Sequence, residues 1–370
     1  MTYVPVGRRS LFAEPRRAVL GIAGVTVALL LMLTLDGIFA GATRQLTRYI
    51  DSSPADVFVS QSGVRTMHMS SSSVPLSAVQ AVRRVQGVAW AEPILYQSGA
   101  LTARGARQLA YIVGYPPGSR AGPTVLTRGA FPRRGEIVVD DRAAEAMGLE
   151  IGDPLQALGQ SWRVSGLTTG LSNISNTVAF VGIDDFSGAA HVEGTASYIL
   201  VGVGANGSRD DVVRAIQNST GLTAQTRSAF SVQESGIVRD MSTDLMLIMT
   251  VAAFAIGLAV VGLTLYAATL ARLREIGVMK ALGARSSRLA RIVLAQAAWT
   301  IGPAAALAAG LAFALAAVIG SVSPNVTMVI EPASLLRTGL GAVILGALGA
   351  VAPLVKVARV DPATVFRRPL

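Results

Sequence analysis

Residues 273–289, LREIGVMKALGARSSRL, set charged side chains, two glycines and a periodic apolar set between long apolar runs. Ile276, Met279 and Leu282 recur every third residue, which makes one apolar stripe on a short helix. Gly283 is placed to stop that helix, and Ser286 or Ser287 to cap the next. A loop this short has no core of its own. Its arginines hold it on one side of a membrane, but topology does not account for the apolar stripe. The chemistry these residues suit is docking against a partner.

Bond-making chemistry is poorly supplied. A phosphate-binding loop requires Gly-Lys-Ser/Thr. The only lysines are Lys280 and Lys356, which follow Met279 and Val355, so any ATP use falls to another chain. Residues 202–207, GVGANG, match G-x-G-x-x-G, but Asp210 and Asp211 open the helix that follows and would repel a pyrophosphate there. The stretch reads as a strand-to-helix turn with Ser208 as the cap. His68 and His191 are the only histidines. Met67, His68 and Met69 could hold copper(I) or haem iron, but the serines around them read as a solvated loop, and no metal site is expected. Asp36 lies near the end of the first apolar run. There it is either a hydrated interfacial residue or a contact on a substrate path.

The elements that carry these residues are read from hydropathy. The chain has 370 residues, 51% of them hydrophobic and 15% charged, against roughly 25% charged in soluble domains. Apolar runs at 18–35, 245–270, 292–322 and 338–355 are each long enough to span a bilayer. The third exceeds one span, which predicts tilting, a kink at Pro303 or an early exit. The net charge of +10 is concentrated in three short segments. Arg8, Arg9, Arg16 and Arg17 precede the first run. Arg272, Arg274, Lys280, Arg285, Arg288 and Arg291 follow the second, and Lys356, Arg359, Arg367 and Arg368 follow the last. Residues 41–244 hold 17 basic and 17 acidic side chains and are neutral. This is the positive-inside pattern, with both termini cytoplasmic and the large segment outside, and it points away from nucleic acid. The first apolar run is too long for a signal core, so it is expected to be retained. The absence of cysteine decides little about compartment.

In the large segment, Leu76–Val88 has helical spacing. ILYQSGALTA and QLAYIVGY read as strands around a turn at Arg104–Gly105, and EIVVDDRAAEAMGLEIGDPLQAL as strand, helix, turn and strand. Strand text in SWRVSGLT and NTVAFVGI makes residues 130–190 a β-rich insert. Strand–helix–strand text resumes after Gly194. This predicts two subdomains, one of them discontinuous, joined to the membrane by helical stalks at 37–50 and 230–244. The fold class is an α-helical membrane protein with four transmembrane helices and an α+β extracytoplasmic domain inserted between helices 1 and 2. Its parts are a cytoplasmic segment (1–17), span and stalk (18–50), the α+β domain (51–229), stalk and span (230–270), a cytoplasmic loop (271–291), spans at 292–322 and 338–355, and a cytoplasmic tail (356–370).

LREIGVMKALGARSSRLARIVLAQA resembles the segment between the second and third spans of the MacB/FtsX family of ABC transporter permeases. PRRAVLGIAGVTVAL, GEIVVDDRAAEAMGLEIGDPLQ and VARVDPATVFRRPL resemble its first-span entry, outer domain and C-terminal end. The likeness covers nearly the whole chain. It implies a bacterial cytoplasmic-membrane permease that is not itself an enzyme and works as a homodimer or paralogue dimer. Two separate ATPase subunits would bind ATP and Mg²⁺; no cofactor is expected in this chain. The resemblance makes 271–291 a coupling loop. Arg274 and Glu275 would make polar contacts with the ATPase, Ile276, Met279 and Leu282 would anchor it, Gly277 would allow close approach, and Gly283 would end the helix. ATP-driven motion would reach the outer domain and drive efflux of an amphipathic substrate, with Asp36 as a substrate contact. Two alternatives stand beside this: a non-transporting transmitter that activates a cell-wall hydrolase, and a haem or hydrophobic-toxin exporter. An extracytoplasmic adaptor is a further candidate partner, and membrane lipid surrounds the spans. The MacB type carries its ATPase in the same polypeptide, and this chain departs from it there.

Overall fold

The computed structural model describes residues 15–172, 176–282, 284–322 and 327–359. The chain divides into two compact units, an inserted domain, Ala42–Met241, and a helical unit formed by the residues on either side of it. Helix α1 (Pro15–Ser52) contributes to both.

The inserted domain begins with β1 (Val57–Ser60), β2 (Val74–Pro75) and α2 (Leu76–Arg83). Strands β3 (Val88–Ala103) and β4 (Ala106–Tyr115) form a hairpin closed by Arg104 and Gly105, at φ 50° and 80°. Two consecutive positive φ values are what a tight turn between right-twisted strands requires. Next come β5 (Arg128–Gly129), β6 (Glu136–Asp140), α3 (Asp141–Met147), β7 (Pro154–Ala157), β8 (Gln160–Thr168), β9 (Asn176–Gly182) and α4 (Ile183–Ala190). The domain closes with β10 (Thr195–Ala196), β11 (Tyr198–Val203), α5 (Arg209–Thr220) and β12 (Thr223–Thr226). Asp140 caps α3, accepting from the Arg142 amide at 3.2 Å, and Gly148 ends it in the left-handed region.

Ten strands form one mixed sheet, ordered β12-β1-β11-β3-β4-β9-β6-β8-β5, with β7 against β3 and β8. Both parts of the domain share this sheet. Strand β3 is 16 residues long; its first half pairs with β11 and its second with β4, so one strand runs through both parts. What is divided is the core. Leu101, Ile112, Ile137 and Trp162 pack at one end of the sheet, and Val82, Val201 and Ile216 at the other. A third cluster joins Phe58, Phe180 and Tyr198 to Ile50 of α1 and Phe230. Phe58 and Phe230 stack with centroids 4.9 Å apart. Each fully buried side chain of this size contributes about 1.5–3 kcal/mol.

Phe230 lies near the start of α6 (Arg227–Ala271), which leads into the helical unit. After it come α7 (Leu273–Ala281), α8 (Ser286–Val322), α9 (Pro332–Gly349) and α10 (Val351–Ala358). Among the described residues, four stretches are long and apolar enough to cross a membrane: Ala18–Ser52, Leu247–Ala271, Ser287–Val322 and Pro332–Ala358. Helix α8 is assigned without a break through Pro303. The path of α9 and α10 is interrupted at Ala350, four residues after Gly346 and just after Gly349. Pro353 has no N–H to offer the Gly349 carbonyl, which is where the helical ladder lapses.

The helices pack through small residues. Leu289, Val293, Ala297, Ile301, Ala304 and Ala308 form one buried stripe along α8. A β-carbon at Gly24 would sit 2.6 Å from Val260, and one at Gly21 would sit 2.7 Å from Thr264, so α1 and α6 touch where side chains are absent. Thr26 is buried; its hydroxyl donates to the Ile22 carbonyl at 2.8 Å and reaches Ala304 O at 3.4 Å. The opposite helix faces expose Leu20, Leu263, Leu311, Leu336 and Val343, as lipid-facing surfaces do.

Candidate functional site

The segment with the most distinctive spacing forms α7. Its stripe does not face one way. Ile276 and Met279 pack against the helical unit's own core, beside Leu289 and Val293 of α8. Gly277 is buried as well. Leu282 is 84% exposed, and Val278, which spacing alone did not single out, is exposed with it. Arg274, Glu275 and Ala281 share that exposure. The outward ridge is therefore Arg274, Val278, Ala281 and Leu282, at i, i+4, i+7 and i+8. The assignment of Ile276 and Met279 as outward anchors changes accordingly: the helix uses them to seat itself.

Local contacts fix this pose. The Ile276 amide donates to the Arg272 carbonyl at 3.0 Å, and the Leu282 and Ala284 amides donate to Val278 and Met279 carbonyls at 3.0 Å. Lys280 Nζ donates to the Ala358 carbonyl at 2.8 Å. The end of α10 carries unpaired carbonyls and negative dipole charge, so a lysine is favoured there. Gly283 lies outside the described residues. Helix α8 starts at Ser286, where the Arg285 carbonyl accepts from Leu289 N at 3.4 Å. The serines expected as caps thus fall inside its first turn.

Asp36 lies in a different part of the helical unit and is not solitary. Arg337 of α9 donates through Nη2 to both of its carboxylate oxygens, at 2.8 and 3.1 Å. The pair borders a cavity of about 350 Å³ lined by Met32, Leu35, Phe39 and Met249. Arg337 and Asp36 are 301 residues apart in the chain. Spacing offers no signal across that distance.

In the inserted domain, Met69 and Ser71 are exposed as a solvated loop requires, but Met67 and His68 are not. Met67 is buried, and the His68 side chain is 9% exposed. Glu234, near the start of α6 and fully buried, accepts from the Met67 amide at 2.6 Å and the His68 amide at 3.0 Å. It also meets His68 Nδ1 at 2.6 Å. Tyr198 Oη donates to the Thr66 carbonyl at 2.9 Å, and the His68 ring meets Tyr111 edge-on at 4.4 Å. Burial, then the Glu234 charge, push the Tyr111 and Tyr198 hydroxyls up. The cluster pins a loop to a helix. The G-x-G-x-x-G stretch also has a packing role. A β-carbon at Gly202 would lie 1.9 Å from Trp90 Nε1, so the glycine admits an indole; Ser208 caps α5 by accepting from Asp211 N.

Four helices apolar enough to span and an α+β domain inserted between the first and second make the architecture that of a membrane protein with one large domain off the bilayer. The family follows from comparison. Residues 18–219 match the model of the MacB-like periplasmic core domain, and residues 246–362 match the FtsX-like permease C-terminal model. The chain belongs to the MacB/FtsX family of ABC transporter permeases. Uncharacterized ABC transporter permeases of Mycobacterium bovis and Mycobacterium tuberculosis are 24% identical over 357 residues, covering 96% of this chain and 96% of theirs. The periplasmic region of MacB from Actinobacillus actinomycetemcomitans is similar at a TM-score of 0.38 and 11% identity, over 49% of this chain and 92% of that one. The extracellular domain of YknZ, a noncanonic ABC-type transporter from Gram-positive bacteria, gives 0.37 and 13%, over 46% and 98%.

Proposed function

We propose that this chain is the membrane half of an ABC exporter. Two copies, or one copy and a paralogue, pair above two separate ATPase subunits, which hold ATP and Mg²⁺. The outward ridge of α7 docks on the ATPase; Leu282 and Val278 supply apolar contact, and Arg274 and Glu275 supply polar contact. Closure of the ATPase pair moves α7, then α6 and α1, then the inserted domain, and drives outward movement of an amphipathic substrate past Asp36. The observation that carries this reading is Leu282, 84% exposed beside Val278 on a helix whose Ile276 and Met279 are seated inward. An apolar side chain held out on a short charged helix suits a partner surface.

Co-expression with the cognate ATPase tests it. Leu282→Asp combined with Val278→Asp removes two apolar contacts and buries charge in their place. Loss of anchors of this kind costs about 2 kcal/mol or more, so affinity drops at least about 30-fold. The expected result is a permease that folds, elutes normally and no longer retains or stimulates the ATPase. Retention at wild-type level, with unchanged ATP turnover, excludes α7 as the coupling element. Ile276→Asp is the wrong probe, because a charge there disrupts the helical unit itself.

A further inference from the structure

The cavity beside Asp36 has the features of a binding site, and its chemistry narrows the ligand. Its volume of about 350 Å³ lies within the roughly 300–1,000 Å³ of small-molecule sites. Met32, Leu35, Asp36 and Phe39 line it from one face of α1, Met249 from α6 and Arg337 from α9. The lining is thus apolar apart from one ion pair and its threonine neighbours.

The ion pair is made end-on. Arg337 gives the carboxylate a single nitrogen, Nη2, which also reaches Ser334 Oγ at 3.4 Å. Among the described residues, Nε and Nη1 have no partner. Nη1 therefore keeps both of its N–H groups, so one nitrogen of the guanidinium remains available to donate to a second oxyanion. The Arg337 side chain is 65% exposed and Asp36 24% exposed, so the cation is the more accessible member of the pair. A cationic ligand would have to displace the arginine from Asp36. An anionic one has only to add to it.

We infer that this cavity binds an acidic amphipath, its carboxylate or phosphate accepting from Nη1 of Arg337 and its hydrocarbon tail against Met32, Leu35, Phe39 and Met249. This deepens the export reading and rests on it for its purpose, since it gives the class of substrate that Asp36 and Arg337 would meet. Asp36 is then a positioning residue: it orients the guanidinium and moderates its charge. Two sources share this chemistry, a membrane phospholipid and a single-chain acid.

The test uses the full chain, without ATPase, in neutral maltoside micelles, with dodecyl phosphate as probe and dodecanol, dodecyltrimethylammonium and inorganic phosphate as comparisons. Dodecyl phosphate is expected to bind saturably, and at least about tenfold more tightly than any of the three. Arg337→Gln is expected to weaken binding about tenfold or more, and Arg337→Lys less. Should Arg337→Gln fail to fold, Asp36→Asn decides. It releases the guanidinium from its internal anion and is expected to tighten binding. Dodecyl phosphate no tighter than dodecanol, or affinity unmoved by both Arg337→Gln and Asp36→Asn, overturns the proposal. Displacement of the probe by phosphatidylglycerol supports the site and assigns it to lipid; a probe that phosphatidylglycerol does not displace supports it as a site for a single-chain acid. Because no ATPase is present, loss of this binding and loss of α7 coupling are separate results.

Discussion

Glu234 carries more of the inserted domain's local order than any residue the spacing singled out. One fully buried carboxylate holds two backbone amides and an imidazole. Removing it leaves those donors buried without an acceptor, at about 1–3 kcal/mol for each group left unpaired. Glu234→Ala is therefore expected to free the 61–73 loop. Arg65 is exposed within it, so trypsin cleavage after Arg65 reports the opening. A loss of about 2 kcal/mol raises the open population roughly 30-fold, and cleavage should accelerate by the same factor. Glu234→Gln keeps one acceptor oxygen and should fall between the two. Equal cleavage rates in all three proteins would remove Glu234 from this role. None of this was visible in the sequence. His68 sits among serines, and serine-flanked histidines read as solvated; its partner lies 166 residues on, beyond any local pattern. The same distance problem hid Arg337 from Asp36. By contrast, the cap at Ser208 depends on neighbours only and was readable.

Among the elements, apolar length marked the spans, but where they touch depended on glycines whose roles only packing reveals. Gly41 is the sharpest case: a β-carbon there would lie 1.6 Å from the Thr327 carbonyl oxygen, and the Val329 amide donates to the Gly37 carbonyl at 2.9 Å. A backbone segment rests directly on α1 at a Gly-x-x-x-Gly step. Gly302 of α8 meets nothing within 4 Å. Gly41→Ala is expected to push the 327–329 segment off the helix at a cost of about 1–3 kcal/mol, as overpacking does. Gly302→Ala should be neutral or stabilising by up to about 1 kcal/mol, from helix propensity alone. Thermal unfolding of the two full-length variants in detergent separates them. Similar midpoints for both would mean that the contact at Gly41 is not holding the segment. Helix α7 shows the same limit from the other side. Its period of three reads as one apolar stripe, but period says nothing about which member faces the chain's own core. Ile276 and Met279 found Leu289 and Val293 to bury against, and Leu282 did not.

For the molecule as a whole, charge gives the orientation its physical basis. The short segments around the apolar runs carry the whole excess of a chain with net charge +10, while residues 41–244 balance. Translocating clustered arginines is costly, so those segments are expected on the cytoplasmic side and the inserted domain outside. This pattern was fully legible, because it depends on composition along the chain and not on contacts. The pairing of β3 with both β11 and β4, which runs one strand through both parts of the domain, was not, since register is decided between strands remote in sequence. The orientation is directly testable because the chain contains no cysteine. Ser71 in the inserted domain and Ser287 at the start of α8 are both exposed, and each can be changed singly to cysteine. With a membrane-impermeant maleimide, Ser71→Cys should label in intact spheroplasts, and Ser287→Cys only after the membrane is permeabilised. The reverse order would place α7 outside the cell. It would then be unable to reach any ATPase that draws on cytoplasmic ATP, and the coupling reading would fall with the topology.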